Sequence, residues 1–196
     1  MRIEMFGPPT SGKSTVVRQL SQFGVACGQY GDENEIPPEW KWFSKRVRMA
    51  FLDRKVFKKQ LEKLPGKSLA ALAGAYAADQ VKYPVVCDEF VAMCGLSMAI
   101  RSWKDCIWYF EDMPLPSLLV VLNAPFEVLV QRNLQRGVRS RVKKTERTLP
   151  FLAAALEILK RRGCRVMEFD TSVCEPVDIA MAVVAEVHRI VSDGSP

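Results

Sequence analysis

At 196 residues, with 48% hydrophobic and 26% charged, the chain is long enough to bury one core without a structural metal or disulfides. The six cysteines (Cys27, Cys87, Cys94, Cys106, Cys164 and Cys174) contain no Cys-x-x-Cys pair, and the only histidine is His188, which argues against zinc ligation and for reduced, partly buried thiols. The net charge of +6 favours an anionic partner, and no apolar run approaches the roughly 18 residues of a membrane span.

The residues Arg2, Ile3, Glu4, Met5 and Phe6 form a short strand that runs directly into a glycine motif, so a signal peptide is not expected and a cytoplasmic location is. A helix over 13–23 follows, then a weak strand within 24–30 and an acidic, proline-bearing loop over 31–39. Apolar residues at helical spacing predict a helix over 42–64, stopped by Pro65-Gly66, and small residues predict another over 68–78. A buried strand over 83–88 ends on Asp88, an aromatic helix spans 92–110, and 118–122 is the next buried strand. Helices over 125–136, 149–162 and 176–190 flank a strand over 165–169, with Pro125 opening the first of them and Gly137 just past its end. Strands alternating with helices imply a parallel sheet covered on both faces, in a single domain over 1–196.

One motif carries sharp chemical information. Gly7-Pro8-Pro9-Thr10-Ser11-Gly12-Lys13-Ser14 matches G-x-x-x-x-G-K-[ST] in full, and Thr15 extends it. Glycines let the backbone wrap a phosphate so that N–H groups converge on its oxygens at a helix start. Lys13 then reaches the β- and γ-phosphates of ATP, and the Ser14 hydroxyl is a ligand for Mg²⁺. Asp88, at the end of a buried strand, is the matching carboxylate for that magnesium ion, with Glu89 beside it. A strand-ending acid that caps the next helix is the plainer alternative.

The stretch from Gln131 to Lys144 is rich in arginine: Arg132, Arg136, Arg139 and Arg141. Arginines here, on a short lid over about 132–147, can close over a triphosphate and neutralise the charge that develops in phosphoryl transfer. A solvated basic helix end is the alternative.

The strand Leu118-Leu119-Val120-Val121-Leu122, then Asn123-Ala124-Pro125, then Val128 to Arg132 and Arg136-Gly137-x-Arg139, resembles the part of nucleoside and nucleotide kinases that leads into an arginine-bearing lid. Phe169-Asp170-Thr171-Ser172 is similar to the loop that borders the adenine in the same family. The resemblance implies a three-layer α/β P-loop NTPase fold with about five parallel strands. It also implies an ATP- and Mg²⁺-dependent kinase, with Arg132 and Thr171 at the nucleotide and Arg136, Arg139 and Arg141 in catalysis.

For the acceptor side, family members that phosphorylate a hydroxyl place a carboxylate beyond the second strand, and Asp32, Glu33 and Glu35 are the candidates. Glu35-Ile36-Pro37-Pro38-Glu39-Trp40 resembles the Glu-Pro-x-x-x-Trp segment of deoxyribonucleoside kinases, with its proline one position late. Polynucleotide kinases carry a catalytic aspartate at about the place of Asp32, which makes it the catalytic candidate; an acidic solvated loop is the alternative, since a kinase acting on a phosphate needs no base. The segment 41–67 carries Lys41, Lys45, Arg46, Arg48, Arg54, Lys55, Lys58, Lys59, Lys63 and Lys67. It is either a solvated helix face or a track for a nucleic-acid acceptor, with Trp40, Trp42 and Phe43 near enough to stack on a base. Trp103, Trp108, Tyr109 and Phe110 line an acceptor pocket or belong to the core.

Three functions are therefore on the table: a kinase for a nucleoside, nucleotide or related hydroxyl; a DNA or polynucleotide kinase; and an NTPase module with no second substrate. The place of the Asn-Lys-x-Asp loop of guanine-specific switches reads Leu122-Asn123-Ala124-Pro125, and the Leu-Ser-Gly-Gly-Gln signature of transport ATPases is absent. Both observations favour transfer. The acceptor and the oligomeric state stay open.

Overall fold

A computed structural model describes residues 1–29, 79, 83–88, 91–99, 103–137 and 140–193. The expected helices over 42–64 and 68–78 and the acidic loop over 31–39 lie outside the described residues. Strands β1 (Arg2–Phe6), β2 (Ala26–Gln29), β3 (Val85–Asp88), β4 (Leu118–Asn123) and β5 (Val166–Asp170) form one parallel sheet in the order β2-β3-β1-β4-β5. The helices are α1 (Lys13–Gln22), α2 (Val91–Ala99), α3 (Trp103–Asp112), α4 (Phe126–Gln135), α5 (Ser140–Arg161) and α6 (Pro176–Ser192). This is the three-layer α/β architecture that the alternation of elements predicts.

The period of two along each strand divides the core. Ile3, Met5, Val86, Leu118, Val120 and Leu122 face α1 and α6, whereas Phe6, Val85, Cys87, Leu119 and Val121 face α2, α3 and α5. With both faces covered, β4 needs apolar side chains at consecutive positions, which is why it reads as an unbroken run. Helix α1 meets the sheet through Val16, Val17 and Leu20, and α6 packs its Ile179, Ala180, Val183, Val187 and Ile190 face into the same layer. Each fully buried Val, Leu or Ile contributes roughly 1.5–3 kcal/mol, so this layer is a main support of the phosphate-loop helix.

Three details depart from the sequence reading. The aromatic helix is two helices: Tyr109 Oη donates to the carbonyl of Val91 at 2.8 Å, a pair that a continuous helix would hold about 27 Å apart. The α2–α3 crossing is tight because Gly95 has no Cβ; one built there would lie 2.8 Å from Tyr109 Cδ1. Helix α5 starts at Ser140 and runs through Pro150, where the sequence predicts a start only at 149. Buried Thr145 and Thr148 continue the face formed by Leu152, Ala155, Leu156 and Leu159, so packing carries the helix across the hydrogen bond that proline removes. Strand β1 also holds two charges inside the core. Arg2 Nη1 lies 3.2 Å from Glu4 Oε1 with both side chains fully buried, and Arg2 Nε lies 3.3 Å from Asp79 Oδ1. Glu4 Oε2 accepts from the backbone N–H of Ala92 at 2.8 Å, which fixes the start of α2 just beyond β3. Burial raises the Glu4 carboxyl above its ordinary range, against the pull of Arg2.

Candidate active site

The crevice lies at the C-terminal ends of the parallel strands, where β1 sits between β3 and β4 and the chain crosses from one side of β1 to the other. The Gly7–Ser14 loop leaves β1 there. A side chain on Gly7 would collide with the carbonyl of Leu122 on β4, so only glycine lets β1 and β4 stay paired to the mouth of the crevice. Gly12 closes the loop at φ 94° and serves as the N-cap of α1. The N–H groups of Thr15 and Val16 both turn back to its carbonyl at 3.0 Å, and the Ser11 N–H turns back to the Pro8 carbonyl at 3.3 Å.

Lys13, 6% exposed, folds its ammonium onto the loop, donating to the carbonyls of Gly7 at 3.0 Å and Pro8 at 2.9 Å. Ser14 Oγ donates to Asp88 Oδ2 at 2.7 Å, joining the start of α1 to the end of β3. Asp88 is buried, and its second oxygen, Oδ1, has no hydrogen-bond partner among the described residues. A buried carboxylate oxygen left open beside a hydroxyl is a donor set that fits Mg²⁺, a hard cation held by one or two protein oxygens plus water and phosphate. No group of three or more His, Cys, Asp or Glu suited to a metal occurs among the described residues.

On the far side of the loop, Arg132 of α4 spans two segments. Its Nη1 donates to Thr171 Oγ1 at 2.9 Å and its Nη2 to the Thr171 carbonyl at 2.6 Å, while Nη1 also lies 3.5 Å from the Thr10 carbonyl. Thr171 is itself tied to β4, its hydroxyl donating to the Asn123 carbonyl at 3.0 Å. Asp170 Oδ1 accepts from the Ser172 hydroxyl at 2.6 Å and from the Ser172 N–H at 2.8 Å. Those bonds hold its carboxyl below the ordinary range, the hydroxyl first. Arg132 and Thr171, paired by resemblance alone in the sequence, are thus brought into contact beside the phosphate loop.

Arg136 caps the C-terminus of α4 and is exposed. Arg139 lies outside the described residues, as does the Arg141 side chain, although Arg141 falls within α5. Much of the stretch read as a lid is therefore helical, the end of α4 and the start of α5. Asp32, Glu33, Glu35, Glu89, Trp40, Trp42, Phe43 and the basic segment 41–67 lie outside the described residues, as do the Trp103 and Trp108 side chains. Tyr109 and Phe110 are core, their rings edge to face at 5.8 Å. Cys27, Cys87, Cys164 and Cys174 carry free thiols, and Cys94 is likewise outside any disulfide. No described helix is long and apolar enough to cross a membrane.

Sequence reasoning passed over Asn133. It sits in the buried phase of α4, one turn after Leu129, and that signal was legible: an amide at an apolar helical position must find partners.

No protein-family model matches the sequence, and neither does any curated protein. Solved structures do. The chain has the P-loop kinase fold. It superposes on the YorR protein of Bacillus subtilis in complex with phosphorylated GDP with a TM-score of 0.59 at 19% identity, covering 96% of each chain. Deoxyadenosine kinase of M. mycoides with products dCMP and dCDP matches with a TM-score of 0.59 at 16% identity, over 97% of this chain and all of that one (100%). The same enzyme with bound dATP gives 0.56 at 15% identity, over 96% of this chain and 100% of that one. At such identities the likeness concerns the fold.

Proposed function

We propose that this chain is an ATP- and magnesium-dependent kinase that moves the γ-phosphoryl group to a nucleoside, nucleotide or related hydroxyl. The observation that carries the reading is the Ser14–Asp88 pair, with Asp88 Oδ1 buried and open, set beside the loop that holds Lys13. Ser14 and Asp88 would hold Mg²⁺, which supplies charge neutralisation at the phosphates. The ammonium of Lys13 exchanges the Gly7 and Pro8 carbonyls for β- and γ-phosphate oxygens, and the amides of such a loop at a helix start would bind the same group. Arg132 and Thr171 support the nucleotide beside the loop. Arg136, Arg139 and Arg141 form the lid, and Asp32 takes the proton of the acceptor hydroxyl as the bond from γ-phosphorus to the β–γ bridging oxygen breaks. Neighbours that bind dATP and phosphorylated GDP support a nucleotide-type site, and we place the enzyme in the cytosol.

The test is a γ-phosphate transfer screen with Mg²⁺ over pooled nucleosides, pooled monophosphates, and single- and double-stranded DNA, with Lys13→Ala as the blank. Label on a nucleoside or monophosphate supports the proposal. Label on DNA alone assigns the acceptor to nucleic acid and the basic segment 41–67 to its track. Free phosphate alone from every pool sinks the kinase reading in favour of an NTPase module.

A further inference from the structure

Thr10 is the one described residue other than glycine with a positive φ, at 62°. That conformation is strained for a β-branched side chain, and a strained residue persists only where its surroundings over-determine it. Here they do. Thr10 is buried, and its hydroxyl lies 2.6 Å from the Pro9 carbonyl and 3.2 Å from the Leu129 carbonyl of α4. The same oxygen accepts from Asn133 Nδ2 at 3.1 Å. Asn133 is fully buried, and its Nδ2 also lies 2.9 Å from the Leu129 carbonyl and 3.3 Å from Thr145 Oγ1 on α5. The Leu129 carbonyl fixes the orientation of the amide, since the reverse placement would set two acceptors against each other. One side chain therefore joins the phosphate loop to both helices that carry the arginine-rich stretch.

A phosphate nest needs successive amides to converge, which requires residues of opposite backbone handedness in the loop. The left-handed turns are at Thr10 and Gly12, and only the second is supplied by glycine. We propose that Asn133 is a positioning residue for triphosphate binding: its amide, through the Thr10 hydroxyl, holds the phosphate loop in its anion-binding shape and ties that shape to α4 and α5. Asn133 touches no reacting atom in this scheme and acts through Thr10. The inference deepens the proposed function and rests on it in one respect, that a triphosphate occupies the loop.

The experiment measures binding of a non-hydrolysable ATP analogue, and separately of adenosine, to the full chain by calorimetry with Mg²⁺. Asn133→Leu keeps the branched outline and removes the donors; Thr10→Val keeps the shape and removes the hydroxyl; Thr10→Ser restores it. The expected result is triphosphate affinity about tenfold weaker for Asn133→Leu and Thr10→Val, near wild type for Thr10→Ser, and adenosine affinity unchanged throughout. The double variant should fall short of the sum of the two single losses. Should Asn133→Leu fail to fold, the Thr10→Val and Thr10→Ser pair decides alone. A lower melting temperature with triphosphate affinity within about twofold of wild type would reduce the network to a stabilising one and overturn the proposal. Wild-type protein that binds the analogue yet transfers no phosphoryl group to any acceptor retires the kinase reading and leaves this one standing. Wild-type protein that binds no triphosphate overturns both.

Discussion

Ser14 and Asp88 meet at 2.7 Å although they belong to different elements, the hydroxyl at the start of α1 donating to the carboxylate at the end of β3. Parallel pairing of β3 to β1 sets this distance, with Glu4 opposite Cys87, the residue before Asp88. The pair is therefore a product of the central sheet.

Asp88→Asn is expected to lower Mg²⁺-supported transfer by about two orders of magnitude, since an amide is a poor magnesium ligand. Ser14→Ala should instead raise the Mg²⁺ concentration needed for half-maximal rate. Activity titrated against Mg²⁺ for both variants is the check, and a rate indifferent to Asp88→Asn would refute the metal role.

Arg132→Lys removes the planar fork that grips the hydroxyl and carbonyl of Thr171. We expect KM for the nucleotide to rise about tenfold with kcat changed less, because the contact supports binding more than transfer. Steady-state kinetics at saturating acceptor will separate the two. A fall in kcat with KM unaltered would move Arg132 into the chemical step.

The two loop glycines should respond unequally to alanine. At Gly7 the new methyl meets the Leu122 carbonyl, whereas at Gly12 its nearest neighbour is Thr171 Cγ2 at 3.9 Å. Gly12→Ala then carries only backbone strain, about 1–2 kcal/mol, and Gly7→Ala adds an overpacking cost of about 1–3 kcal/mol. Thermal denaturation should rank Gly7→Ala below Gly12→Ala.

Burial pushes the Cys164 thiol up to about 11 and raises the Cys87 thiol further. At pH 8 only about one Cys164 in a thousand is thiolate, so both should resist alkylation until the protein unfolds. The sign for stability follows. Because burial raises the folded-state pKa above the 9.0 of an unburied thiol, Cys164's contribution is intact below pH 9 and is lost as pH climbs toward 11. Melting temperature across that window, in wild type and Cys164→Ala, tests it.

The sequence was most legible where chemistry and geometry coincide. The Gly7–Ser14 motif, the strand ending at Asp88 and the alternation of strands with helices all led to the observed sheet and loop. The start of α5 was illegible because the threonines that extend its buried face do not count as apolar in a periodicity search. The break between α2 and α3 was hidden because no proline or glycine marks it, the residues between the two helices being Ile100, Arg101 and Ser102. Asn133 and the Arg2–Glu4 pair escaped notice for a common reason: their partners are distant in sequence, such as Thr10 and the N–H of Ala92.

The strand order also dictates when the site comes into existence. Among the described residues both sheet neighbours of β1 lie far along the chain, since it pairs with β3 and β4, and β2 pairs with β3. As the polypeptide leaves the ribosome, neither of the first two strands meets its described hydrogen-bonding partner until β3 emerges. The phosphate loop thus precedes Asp88 and Leu122 in the chain but is shaped only after both have been synthesised.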